Sequence, residues 1–285
     1  MDTRRTFLQN SLTLAGGLAV AGSPPLLVAK EIPRSERTEA SQGTMKMDRH
    51  LNIGAMIYPR MDQIDFTGPF EVLAQLPNST FHVAWKEKQP VRDYRGLILT
   101  PERTLAEVPP LDVLVIPGGP GQENLMEDKL VLAFIRDQAA RAHCVFSVCT
   151  GALICGAAGL LKGVRATTHW GAFDLLAYFG AIPVNQRVVV DGKLVTAAGV
   201  TAGIDGALRV AALLRGDQVA QEIQLGIEYA PEPPFQSGTP ATAPAAVRKA
   251  VEARIAGLTK DRLSTARRVA SRLGIPVKAE SGSPQ

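Results

Sequence analysis

Cys149 stands where the apolar run Val145–Val148 stops and a small-residue, helix-prone segment running to Leu161 begins. A residue between a strand and a helix N-terminus is held in a tight, exposed turn, the geometry that also serves the serine of the hydrolase elbow. The unpaired N–H groups of the helix start carry partial positive charge. That charge lowers a thiol pKa toward the thiolate, the reactive form. Gly151, two residues on, lets the backbone fold closely there. The position therefore predicts a nucleophile, although burial in the core is a common fate of cysteine.

Other residues could share that chemistry. Asp65 opens the helix-like DFTGPFEVLAQL. On pattern alone it reads as an N-cap, and at the carboxyl edge of a sheet it could also approach Cys149 and exchange a proton. Asp62 reads as a solvated turn residue. Gly118 and Gly119 could offer backbone N–H groups to a developing negative charge, or form a plain strand-to-loop turn. Thr150, next to the cysteine, could orient substrate or water, or help cap the following helix. His169 alone makes a poor triad partner. No Cys or His spacing suggests a metal site, and neither a GxGxxG run nor a Walker loop is present.

The three cysteines are Cys144, Cys149 and Cys155. An odd count leaves at least one thiol unpaired. Cys144 and Cys149 on one extended strand would lie about 16 Å apart, too far for a disulfide. Three free thiols are expected, with Cys144 and Cys155 as small buried hydrophobes.

The elements that must hold these residues alternate. Strands are expected over 51–58, 81–87, 112–117 and 144–148, with a two-stranded excursion at 91–100 and a hairpin at 187–198 turning at Asp191-Gly192. Helices are expected over 65–76, 129–141, 151–160, 171–180, 201–214 and 217–229, with a strand edge at 165–170. Val- and Ile-rich strands alternating with helices predict a mostly parallel sheet covered on both faces, an α/β fold. In such folds ligands bind beyond the carboxyl ends of the strands. Asp65, Gly118-Gly119 and Cys149 all fall at such ends.

The chain has 285 residues, 46% of them hydrophobic, enough for one sizeable core with appendages. A net charge of +4 is too weak to argue for nucleic acid. Residues 1–29 carry Arg4-Arg5 and then a modest apolar, Gly-interrupted stretch. This reads as a twin-arginine export signal rather than a membrane span, so a periplasmic or otherwise exported protein is expected, cytoplasmic if the leader is not used. Residues 30–48 are polar and read as a linker, 49–230 as the α/β domain, and 231–285 as a Pro-containing linker followed by a basic helical tail.

Three blocks in order, IDFTGPFEVL, SVCTGALICGAAGLLKGVRATTHW and VTAAGVTAGIDGAL, resemble the ThiJ/PfpI superfamily, also called class I glutamine amidotransferase-like. Within it they are similar to the isonitrile (cyclohexyl-isocyanide) hydratases, and the likeness spans about Leu51 to Phe235. The resemblance implies a flavodoxin-like three-layer sandwich, a homodimer and no cofactor. It implies Cys149 as nucleophile at the elbow, Asp65 as the partnering acid and Thr150 at the C-T-G position that hydratases use. His169 could stand for a supporting histidine found in other members. The implied activity is addition of water to an isonitrile, giving an N-substituted formamide. Alternatives are a glyoxalase-like thiol enzyme and a ligand or redox sensor. The leader, and the 50 residues after Phe235, depart from the hydratase pattern. The tail is too short for the paired helix-turn-helix units of related regulators, so no nucleic-acid partner is expected. It reads instead as a solvated amphipathic helix packing on the body or on a dimer.

Overall fold

The computed structural model describes residues 48–276. The export leader and all but the last residue of the linker lie outside the described residues. The chain runs β1 (Leu51–Met56), α1 (Gln63–Leu73), β2 (Ser79–Trp85), β3 (Val91–Arg92), β4 (Ile98–Leu99), β5 (Arg103–Thr104) and β6 (Val113–Ile116). It continues with α2 (Gln122–Leu125), α3 (Lys129–Arg141), β7 (Cys144–Val148), α4 (Gly151–Ala157) and β8 (Arg165–Ala166). A 3-10 helix (Trp170–Phe179) follows, then β9 (Ile182–Pro183), β10 (Val188–Asp191) and β11 (Leu194–Ala197). The helices α5 (Ala202–Arg215), α6 (Asp217–Gly226) and α7 (Ala245–Leu273) complete it.

Seven strands form one sheet in the order β10-β11-β7-β6-β1-β2-β5. All its pairs are parallel except the β10–β11 hairpin at one edge. Every residue of β6 and β7 is buried, as continuous apolar strands between two helical layers require. On β7 the sides alternate. Phe146 and Val148 face Gly206 and Gly203 of α5, whereas Ser147 lies toward Cys155 of α4. These contacts place α5 on one face and α4 on the other, the three-layer α/β sandwich that the alternating pattern predicts.

Chain order sets the crevice. After β1 the chain pairs β2 on one side and returns to pair β6 on the other. The carboxyl ends of β1, β6 and β7 are therefore neighbours at the reversal of strand order, where open α/β sheets bind ligands.

Some details differ from the sequence expectation. The helix expected over 171–180 is a 3-10 helix over 170–179, closed by Gly180 at φ +70°. The hairpin turn falls at Gly192-Lys193, one residue later than expected, with Gly192 at φ +55°. α1 begins at Gln63, two residues before the expected start, and this decides which way Asp65 faces.

Candidate active site

The cap of α1 is Asp62, whose carboxylate accepts from Ile64 N–H at 3.2 Å. Asp62 is thus a half-buried cap rather than a solvated turn residue, and burial raises its carboxyl pKa. The cap reading of Asp65 is corrected in the same step. Asp65 lies inside the first turn, fully buried. Its Oδ2 accepts from Gly118 N–H at 2.9 Å. Its Oδ1 is buried with no other partner in place, and the neighbour that reaches the carboxyl is the Cys149 thiol. Burial, reinforced by the charge of Asp62, lifts the Asp65 carboxyl well above the usual range. That shift biases the carboxyl toward its acid form, the form able to give a proton.

Cys149 directly follows β7 and adopts φ +55°, left-handed and unusual for a residue with a side chain. Such a conformation costs roughly 1–3 kcal/mol and persists only where neighbours over-determine it. Here its N–H donates to Ala197 O at 3.0 Å, and its carbonyl accepts from Thr168 Oγ1 at 2.7 Å. Two residues on, a side chain on Gly151 would place its Cβ 2.0 Å from Ile116 O, so only glycine lets α4 start against β6.

The corner differs from expectation in exposure. Cys149 is 5% exposed. Burial therefore pushes its thiol well above the ordinary value, and an ionised Asp65 would push it further. The expected depression at a helix N-terminus does not win. Two groups pull the other way: the Thr150 N–H, which donates to the sulfur, and the guanidinium of Arg262. Burial is the largest effect, so these two lessen the rise without reversing it. The pair titrates as a unit.

The Gly118 and Gly119 N–H groups are not free oxyanion donors, contrary to the sequence reading. Gly118 N–H is engaged by Asp65, and Gly119 N–H donates to Thr150 Oγ1 at 3.1 Å. Their role is to tie the three strand ends together. A Cβ on Gly118 would fall 2.5 Å from Thr150 N, 2.7 Å from Thr150 Oγ1 and 2.9 Å from Asp65 Oδ2.

His169 caps the 3-10 helix, its Nδ1 accepting from Gly171 N–H at 3.1 Å. Burial, and then the charge of Arg262, lower its pKa to about 4, so the ring is neutral at physiological pH. Cys144 and Cys155 are free and buried, their thiols pushed up to about 12. Among the described residues no group of three or more His, Cys, Asp or Glu could hold a metal ion, and no helix is long and apolar enough to cross a membrane.

Three residues at the site had no role in the sequence reading. Tyr58, just after β1 and fully buried, donates to Pro117 O at 2.8 Å. Gln122 of α2 and Arg262 of α7 are buried and hydrogen-bonded to each other. Tyr58 could have been found, since it ends a strand whose neighbours carry the site. Arg262 could not, because one of many basic residues in a tail gives no local sign of burial.

The sequence profile of the DJ-1/PfpI family matches residues 53–213. The chain is 52% identical over 225 residues to an isonitrile hydratase of Pseudomonas putida, covering 79% of this chain and 99% of that one. The aligned length exceeds the span 49–230, so the similarity runs beyond the α/β domain delimited from sequence. A crystal structure of a THiJ/PfpI family protein from Pseudomonas syringae is 40% identical, with TM-score 0.75, over 85% of this chain and 99% of that one. A Parkinson disease protein 7 homolog of Danio rerio is 30% identical over 142 residues, 48% of this chain and 75% of that one.

Proposed function

The chain belongs to the DJ-1/PfpI family, and from that membership we propose that it is a cofactor-free, cysteine-dependent hydratase that converts an isonitrile and water to an N-substituted formamide. The observation that supports the reading is the buried pair at neighbouring strand ends, a cysteine thiol beside a carboxyl that burial biases toward its acid form. An isonitrile carbon needs both at once, since the same atom accepts a nucleophile and a proton. The P. putida relative bears the name of that activity.

The Cys149 thiolate attacks the terminal carbon and forms the C–S bond, while Asp65 gives its proton to that carbon. The product is a thioimidate, R–N=CH–S, with Asp65 left as carboxylate. Water, oriented by Asp65 and the Thr150 hydroxyl, then adds. Asp65 takes its proton, the oxygen bonds to carbon, and Asp65 passes the proton to nitrogen. Collapse breaks the C–S bond, returns the hydroxyl proton to Asp65 and releases the formamide and the thiolate. Charge on sulfur is met by the Thr150 N–H.

The test is formamide formation from cyclohexyl isocyanide by the purified chain, beside the Cys149→Ser variant. Cys149-dependent turnover supports the hydratase. Turnover of methylglyoxal alone would move the activity to glyoxalase chemistry. We also propose export, from the Arg4-Arg5 motif and the apolar stretch after it, and assembly as a homodimer, as the family resemblance suggests. Cell fractionation of an Arg4→Lys/Arg5→Lys variant and sedimentation of the mature chain test them.

A further inference from the structure

Arg262 lies far along the chain from Cys149, on α7, and is 5% exposed. Its Nε donates to Gln122 Oε1 at 2.9 Å. One terminal nitrogen donates to Gly119 O at 3.1 Å and reaches Thr150 Oγ1 at 3.4 Å. All three partners are neutral. No carboxylate among the described residues stands within ion-pairing distance of this guanidinium. Glu123, the nearest acid to influence it, accepts from Thr265 instead.

A buried cation with no counter-ion is costly, by several kcal/mol in a dry interior. The fold retains one here, against the groups whose ionisation it faces, Cys149 and Tyr58. Tyr58 is committed as a hydrogen-bond donor to Pro117 O, and burial holds its proton on. Glu123 acts on the guanidinium less than Cys149 does and is turned to Thr265, so the cysteine sulfur is the buried group whose negative charge Arg262 is placed to balance.

We propose that Arg262 is a positioning residue of the Cys149 site: it supplies the buried counter-charge for the cysteine thiolate and fixes the Thr150 hydroxyl and the Gly119 carbonyl, so that α7 completes the site. Asp65 on α1 and Asp62 at its cap oppose ionisation of Cys149, while the Thr150 N–H of α4 and Arg262 of α7 favour it. His169, facing Arg262, stays neutral. The charge role holds whichever electrophile Cys149 meets, and only the turnover arm below rests on the hydratase reading.

The test uses the full chain with Cys144→Ala/Cys155→Ala, so that the pH dependence of thiol alkylation reports Cys149 alone. Arg262→Met is expected to raise the pH midpoint of Cys149 ionisation by about one to two units. Arg262→Lys is expected to return most of that shift, since the charge is restored. An ammonium cannot reproduce the planar fork that spans Gln122, Gly119 and Thr150. In Arg262→Lys kcat for the isonitrile is therefore expected to stay about tenfold down, with KM within about threefold. An unchanged midpoint in Arg262→Met, with native circular dichroism, overturns the proposal. If Arg262→Met does not fold, Arg262→Gln against Arg262→Lys decides it, and equal midpoints in those two overturn it. A shifted midpoint in a protein that turns over no isonitrile would leave Arg262 in its role and remove only the hydratase reading.

Discussion

The proton transfer proposed for Asp65 comes at the expense of the fold. Its carboxyl keeps a proton that the unfolded chain releases in the ordinary carboxylate range. Between those two pKa values the folded state binds more protons than the unfolded one, so this group's contribution to stability falls as pH rises. Asp65→Asn removes the titration and keeps the shape. Its turnover is expected to fall by about 10²–10⁴-fold. Its stability relative to the parent should be lowest near about pH 4, in the ordinary carboxylate range, and should rise toward neutral pH. Denaturant unfolding across that range checks this, and a constant difference at every pH would mean that Asp65 is ionised in the folded protein. Gly118 bears on the same pair by contact. Gly118→Ala would drive a methyl into Thr150 N, Thr150 Oγ1 and Asp65 Oδ2. It should cost about 1–3 kcal/mol by overpacking, and alkylation of Cys149 should lose its parental pH profile. At this scale the sequence displayed Cys149, Asp65, Thr150 and the glycine pair, because each sits at a strand end or helix start. It did not display that the glycine N–H groups were already engaged, since hydrogen-bond partners 31 and 53 residues apart leave no local pattern.

The elements were legible where apolar runs were bounded by turn residues, as in β1, β6, β7 and the β10–β11 hairpin. They were less so where capping decides. On pattern alone α1 starts at Asp65, because an acidic residue just before Phe-Thr-Gly-Pro looks like a cap. The earlier aspartate takes that role and turns Asp65 inward, and Pro69 sits within the helix. Packing of α5 on β7 shows a different reason for glycine. A Cβ on Gly206 would meet Phe146 ring atoms at 2.6 and 2.7 Å. Gly206→Ala gains up to about 1 kcal/mol of helix propensity but forces the ring or the helix to move, at about 1–3 kcal/mol. The second effect should win. A lower melting temperature with an unchanged pH profile of Cys149 alkylation is expected, since Phe146 lies on the strand below the site. A raised melting temperature would show that α5 can shift without loss.

For the molecule as a whole, the tail proved the least legible part. Its basic, helical character was visible, and it does pack on the body. What could not be read was that α7 reaches the site, because that depends on which stripe of one helix meets α2 and the 3-10 helix. Burial along α7 is uneven. Arg262, Thr265, Ala266, Val269 and Ala270 are buried, whereas most of the first half is exposed. Beyond Arg262, Arg268 holds Glu127 at 2.7 and 3.0 Å, and Arg272 donates to Ala157 O and Met126 O. The exposed Arg268–Glu127 pair is screened by solvent and contributes little, so apolar burial is what anchors the second half. Hydrogen exchange should follow that division. Amides before about residue 258 should open at least about tenfold more readily than those from Arg262 onward. Arg268→Met should speed exchange of the second half by less than about fivefold. Uniform protection along the helix would mean that α7 opens as one body, and then every opening would carry Arg262 away from Thr150 and Cys149 together.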